Sequence, residues 1–386
     1  MELHREKDCL SEALNAFDFG GQVAGAVRYG EGHINDTFCV YTQNKAGDGV
    51  RFILQRINTN TFPDPDGLME NIVGVTEYLR GIIARLGGYP ERETLTVRRT
   101  KTGRPYFRDS QGGCWRVFHF VEGTVCLQSV QTPEQFYQSA VAFGNFQRLL
   151  SGYDVSTLHE TIAQFHDTRA RFRAFRKALE ADALGRAKQV APEIQFVLDH
   201  EADCSVLMSQ LESGALPLRV THNDTKLNNI LLDKTTGKGI CIIDLDTVMP
   251  GLSLNDFGDS IRFGANHAAE DEPDLRKVNF DLELFACYTK GFLEAAGSVM
   301  TPAEIEQLPW GAKLMTLECG IRFLTDYLEG DHYFKIHREG QNLDRCRTQF
   351  KLVRDMERNW EKMNAVVRDC CADLALDIKE DASTPM

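Results

Sequence analysis

The chain of 386 residues is 42% hydrophobic and carries 43 Lys and Arg against 56 Asp and Glu, a formal net charge of −13. At roughly 150 residues per domain, this is the length of two domains or of one two-lobed unit, with enough apolar residues for a core that needs no disulfides. The acidity excludes nucleic acid and an anionic membrane as the main partner, because both demand a basic face.

The 11 cysteines form no Cys-x-x-Cys pair and no Cys/His cluster, so structural zinc is not expected. The opening MELHREKDCL lacks the features of a signal peptide, and no apolar run approaches the roughly 18 residues that span a bilayer. The expected setting is a reducing cytoplasm.

In chain order, Ala26–Tyr41 reads as two strands joined by a turn at Gly30–Gly32, and Phe52–Ile57 as a third strand. Leu68, Ile72, Val75, Leu79 and Ile82 recur at spacings of four and three, the stripe of a helix that starts after Pro63–Gly67 and stops at Gly87–Gly88. Thr94–Arg99 and Pro105–Arg108 flank a Thr102–Gly103 turn and predict a hairpin. Trp115–Val121 reads as a buried strand. After Glu122–Gly123 the composition turns helical. Helices are predicted over Pro133–Leu150, Leu158–Leu179, Pro192–Leu211, Leu282–Ala295, Thr301–Leu308, Leu314–Leu328 and Asn342–Val366, and the polar tail Asp377–Met386 is expected to fray. One strand pair interrupts them, Asn229–Leu232 and Ile240–Asp244, around a Thr235–Lys238 turn. The expectation is an α+β, bilobal molecule: a β-rich N-terminal lobe over residues 1–123, a hinge near Phe120–Gly123, and a larger helical lobe over residues 124–386.

The most informative stretch is Thr221–Asp246, THNDTKLNNILLDKTTGKGICIIDLD. His222, Asp224, Lys226 and Asn229 stand in an H-x-D-x-K-x-x-N pattern, followed by an apolar strand, a turn, and a second strand ending at Asp244. This resembles the catalytic loop and metal-binding strand of the protein-kinase-like fold. In such an arrangement Asp224 accepts a proton from an attacking hydroxyl, Asn229 and Asp244 hold Mg2+, and Lys226 neutralises the phosphoryl group in flight. His222 is expected to prop the loop. Asp256–Phe257–Gly258 spells the magnesium motif of protein kinases but lies 32 residues after Asp224, too far for a short hairpin. Asp256 is therefore read as a support for the catalytic loop, and Asp244 as the metal ligand.

By its position ahead of that loop, the turn from Gly30 through Gly32 to Asn35 is expected to cover the phosphates of ATP with backbone N–H groups. The third strand of such a lobe should project a cation to the phosphates. Here Phe52–Ile57 offers Gln55 and Arg56 on opposite faces and no Lys; charge favours Arg56, with Glu70 or Glu77 as its partner. Glu122, at the hinge, is assigned to the nucleotide as well.

Further strings carry a closer likeness: GHINDT at Gly32–Thr37, FILQRIN at Phe52–Asn58, AFGNFQ at Ala142–Gln147, FHD at Phe165–Asp167, IDLDTVMPGLSLNDFGDSI at Ile243–Ile261 and RFLTDYLEGDHYF at Arg322–Phe334. With the catalytic loop, they make the chain resemble the aminoglycoside phosphotransferase and choline kinase superfamily, and within it the N-acetylhexosamine 1-kinases, over about residues 25 to 355. The resemblance implies transfer of the γ-phosphoryl group of ATP to the anomeric hydroxyl of GlcNAc or GalNAc. It implies that His33, Phe263, Arg322 and Tyr333 lie near the sugar. A blander reading pairs Arg322 with Asp326, one helical turn away. The missing third-strand Lys departs from the superfamily pattern, and no Ala-Pro-Glu string follows the metal strand, which weighs against a protein substrate. No obligate protein partner is inferred. The rival readings are a kinase of the same fold acting on an aminoglycoside, choline or another hexose, and a non-catalytic nucleotide-binding scaffold.

Overall fold

The structure, a computed structural model, describes residues 2–30, 34–44, 47 and 49–376. The predicted frayed tail, Gly32 and His33 lie outside the described residues. Seven strands occupy the first third: β1 (Gly21–Arg28), β2 (Asp36–Asn44), β3 (Gly49–Ile57), β4 (Val97–Arg98), β5 (Phe107–Arg108), β6 (Cys114–His119) and β7 (Thr124–Val125). The main sheet runs β1-β2-β3-β6-β4, with β5 also on β6, and all its pairings are antiparallel.

The hairpin expected around Thr102–Gly103 does not form. β4 and β5 do not pair with one another; both lie along β6, and the residues between them make an excursion closed by Gly103 N donating to Thr100 O (2.9 Å). The hairpin is instead β5–β6, turned by Asp109, whose Oδ1 accepts from Gln111 N (2.9 Å) and Gly113 N (2.7 Å). The Asx turn there outcompetes the Thr-Gly signal upstream.

Alternation along the strands gives the sheet two apolar faces. Phe52, Leu54, Trp115 and Val117 pack against Cys9, Ala13 and Phe17. Cys9 and Ala13 belong to a helix at Glu2–Ala16 that sequence reading did not anticipate. The opposite face meets the Pro65–Arg85 helix, which begins where Asp64 accepts from Gly67 N (3.1 Å) with Pro at the first turn. This second core (Leu68, Ile72, Val75, Phe118) continues without a break into Phe143, Phe146, Ile242 and Val248 of the larger lobe.

The larger lobe carries β8 (Arg219–Thr221), β9 (Ile230–Asp233), β10 (Gly239–Ile242) and β11 (Met249–Gly251). β9 pairs with β10 and β7, and β8 pairs with β11. Three predicted helices are shorter or divided. Residues 158–167 form a loop because Asp167 caps a helix at Thr168–Ala181, accepting from Ala170 N (3.1 Å). The 192–211 span splits into Ala191–Asp199 and Val206–Glu212, and the last span breaks at Asn359 into Gln341–Arg358 and Trp360–Leu374. A helix at Ser253–Gly264 was not foreseen and is buried almost all round. All 11 thiols are free, and among the described residues no helix is long and apolar enough to cross a membrane.

Candidate active site

The loop between β8 and β9 is built from behind by the Ser253–Gly264 helix. Asp256, fully buried, accepts from the backbone N–H of His222 (3.0 Å) and Asn223 (2.7 Å) and from the Gln147 amide. Burial pushes the Asp256 carboxyl up, against the pull of His222 and those donors. Asp259 accepts from Thr225 N (3.0 Å), and the Thr225 hydroxyl donates to Asp256 O (2.6 Å). Asn223 takes a left-handed φ of 63°. The His222 ring meets Ile243 O at 2.9 Å and lies edge-on to Phe143 and Phe146, so it braces the loop against β10.

So held, the loop presents Asp224 to the cleft. Lys226 Nζ lies 2.7 Å from Asp224 Oδ1, and Asn229 Nδ2 donates to both Asp224 O (2.8 Å) and Oδ2 (3.0 Å). Burial alone would raise the Asp224 carboxyl; Lys226, His222 and Asn229 outweigh it and hold the group below its usual range, ionised. For Lys226 burial is outweighed by Asp224 and Asp259, so the ammonium stays charged. Asp244 follows β10 in a left-handed conformation (φ 58°, ψ 55°) and opens to the cleft. Its carboxyl is pushed up to about 6, by enclosure first and then by Asp246 and Asp224. Two carboxylates and the Asn229 amide oxygen, which its own Nδ2 bonds leave free, make a hard oxygen donor set whose mutual repulsion a divalent cation would relieve.

On the small lobe, Gln55 and Arg56 fall on opposite faces of β3, as alternation requires. Arg56 pairs across the ladder with Trp115 and lies near its ring (5.9 Å), on the face that packs the Glu2–Ala16 helix. It is therefore not the cation of the cleft, and neither proposed partner meets it: Glu70 pairs with His159 and Glu77 with Arg99. The cation on Gln55's face is Arg116 of β6, which sequence reading missed. Arg116 Nε donates to Gln55 Oε1 (3.0 Å) and its guanidinium pairs with Asp246. Both are buried, at 1% and 3% exposure. The signal was present as a lone charge in the apolar run WRVFHFV. Asn35 Nδ2 donates to the same Asp246 (2.6 Å). Gly30 has a φ of 77° at the start of the turn, which Tyr29 N closes by donating to Thr37 O (2.9 Å). Glu122 pairs with Arg51, whose guanidinium covers the Phe120 ring at 3.8 Å.

A second wall lies beyond Asp224. His166 faces two acceptors, Glu318 Oε1 (2.8 Å) and Asn223 O (3.1 Å), and so ties the catalytic loop to the Leu308–Glu329 helix. Arg322 of that helix does not pair with Asp326, which instead accepts from the backbone N–H of His332, Tyr333 and Phe334. Arg322 lies among the rings of Phe165, Tyr333 and Phe334 and donates to Tyr333 Oη at 3.3 Å. Tyr333 is 62% exposed, and Phe263 is half-buried against the core shared by both lobes.

Comparison with known proteins agrees with this architecture. A family model described as "Phosphotransferase enzyme family" matches residues 26–289. Among solved structures, a microcompartment-associated aminopropanol kinase superposes with a TM-score of 0.58 at 16% identity, over 92% of this chain and 98% of that one. The GDP complex of aminoglycoside 2'-phosphotransferase-IIIa gives 0.56 at 13% identity, over 92% and 99%. An aminoglycoside phosphotransferase from Alicyclobacillus acidocaldarius gives 0.52 at 14%, over 95% and 96%. At such identities these likenesses show the shared bilobal, protein-kinase-like fold.

Proposed function

The chain belongs to the phosphotransferase enzyme family, and on that footing we propose that it is an ATP-dependent small-molecule kinase forming the 1-phosphate of an N-acetylhexosamine. The observation that carries the reading is the contact set of Asp224 with Lys226 and Asn229, with Asp244 close enough to feel the Asp224 charge. The acceptor hydroxyl oxygen attacks the γ-phosphorus, its proton passes to Asp224, and the bond from that phosphorus to the β–γ bridging oxygen breaks to release ADP. Lys226 faces the charge that develops on the moving phosphoryl oxygens. Asn229 and Asp244 would hold Mg2+, which when bound screens the phosphate charge. An anomeric hydroxyl, acidified by the ring oxygen, suits a carboxylate base that is already ionised.

Supporting a neutral acetamido sugar over a polycation, the far wall presents the Arg322 guanidinium with Tyr333 and Phe165. Such a group suits a carbonyl oxygen and repels an ammonium. Phe263 and His33 are assigned to the same acceptor; Gly30, Gly32 and the hinge at Glu122 to the nucleotide. The nucleotide lobe is taken as residues 1–123 and the acceptor lobe as residues 124–386. The test is ADP release with a panel of GlcNAc, GalNAc, glucose, choline and kanamycin. The reading expects turnover with the acetamido sugars, and turnover confined to kanamycin or choline would sink it.

A further inference from the structure

Asp246 stands two residues after Asp244, in the short turn Leu245–Thr247. Two stretches of the larger lobe and the Pro65–Arg85 helix of the small lobe pin that turn. Thr161 Oγ1 donates to Asp246 O (3.0 Å), Asn223 Nδ2 to Thr247 O (2.9 Å) and Asn71 Nδ2 to Val248 O (2.9 Å). The Asp246 side chain reaches the sheet of the small lobe. One oxygen pairs with Arg116; the other accepts from Asn35. Each partner is itself fixed. Gln55 holds Arg116 Nε and donates to Thr37 Oγ1 (3.1 Å), so the guanidinium is tied across β2, β3 and β6. Asn35 Oδ1 accepts from Asn58 N (2.9 Å). Asn35 immediately precedes β2, so its side chain links the start of that strand to the carboxylate two residues after Asp244.

We propose that Arg116 and Asn35 are positioning residues that act through Asp246: the buried carboxylate joins the sheet of the small lobe, at β6 and at the start of β2, to the Asp244 turn, so that setting the sheet over the cleft and setting the metal site are one event. In place of a lysine on β3, the cation comes from β6, and its partner acid comes from the opposite lobe. This deepens the phosphotransfer reading above and rests on it.

The test is calorimetric binding of the Mg2+ complex of a nonhydrolysable ATP analogue to the full chain, for wild type, Asn35→Ala, Asp246→Asn and the double variant. Loss of a charge-assisted hydrogen bond predicts binding weaker by about tenfold in Asn35→Ala, which leaves the ion pair intact and the fold undisturbed. In the Asp246→Asn background, Asn35→Ala should add less than twofold, because its partner charge is already gone. In turnover assays the KM for Mg·ATP should rise in parallel while the acceptor KM moves less than twofold; a merely structural role would lower Tm and leave both constants alone. Arg116→Lys, which keeps the charge and loses the fork, should bind between wild type and Asp246→Asn. Binding by Asn35→Ala within twofold of wild type, or additive effects in the double variant, would overturn the proposal while leaving the phosphotransfer reading intact. A wild-type chain that binds no Mg·nucleotide overturns both.

Discussion

At the scale of single residues, the site is a balance of charges around Asp224. Lys226 and Asn229 keep it ionised, and nearby Asp244 is a carboxyl raised by its enclosure first and then by Asp246 and Asp224. Asp224→Ala is expected to lower kcat by roughly a thousandfold, the worth of a general base, while affinity for Mg·nucleotide measured by calorimetry stays within about threefold. A variant that loses nucleotide binding but keeps turnover contradicts the base assignment. Arg322→Ala should raise the acceptor KM by about tenfold and leave the KM for ATP unchanged, checked by steady-state kinetics with each substrate varied. The contacts among Asp224, Lys226 and Asn229 were legible in the sequence because a short loop fixes them at set offsets. Arg116 was not. Its role depends on which strand lies beside β3 and on which face of β6 it stands, and both are matters of pairing across the sheet rather than of spacing along the chain. Arg56 shows the converse: charge favoured it, and strand alternation turned it to the wrong face.

At the scale of elements, the Ser253–Gly264 helix is the foundation of the catalytic loop. It went unread for a physical reason. Its polar residues, among them Asp256, Asp259 and Ser260, are buried against the loop at His222–Thr225 instead of facing solvent, and its start carries the distracting Asp256–Phe257–Gly258 string. Strands β1 to β3 and the Pro65–Arg85 helix were legible because alternation, a proline-containing first turn and an apolar stripe all agree there. The predicted Leu158–Leu179 helix overran because residues 158–167 spend their polar groups on other elements: His159 N donates to Asn71 Oδ1 (2.8 Å) and Thr161 to Asp246 O. The Ser253–Gly264 helix crosses the Leu308–Glu329 helix at Gly258, where an added Cβ would lie 2.2 Å from Gly311 O. Gly258→Ala must therefore push the two helices apart. It should destabilise the fold by about 1–3 kcal/mol and, by tilting Asp256 and Asp259 away from the loop, lower kcat as well. Thermal unfolding and steady-state kinetics on the same preparation check both halves.

At the scale of the whole molecule, two unequal lobes share one core and an uneven charge. The first 123 residues carry 15 of the 43 basic and 16 of the 56 acidic side chains, so nearly all the net −13 belongs to the helical lobe. Part of that acidity is locked into structural ion pairs. Lys313 bridges Asp203 (2.8 Å) and Glu357 (2.9 Å) beside Trp310 and Trp360, and His200 meets Glu357 at 3.0 Å. His200 and then Lys313 hold the Glu357 carboxyl down to about 2. A depressed carboxyl stabilises the fold above its ordinary pKa, near 4.5, and loses that contribution as pH falls toward 2. Wild type should therefore melt above Glu357→Gln at pH 6, and the gap should narrow steadily below about pH 4.5; a gap that does not change with pH refutes the assignment.

The central claim, that the γ-phosphoryl group of ATP passes to an anomeric oxygen whose proton an ionised Asp224 accepts, is tested most directly by phosphorus NMR of the product formed from ATP and GlcNAc. The account predicts a phosphate signal coupled to the anomeric proton, present with wild type and absent with Asp224→Ala. A phosphate coupled to any other sugar proton, or an anomeric product that persists in Asp224→Ala, would contradict it.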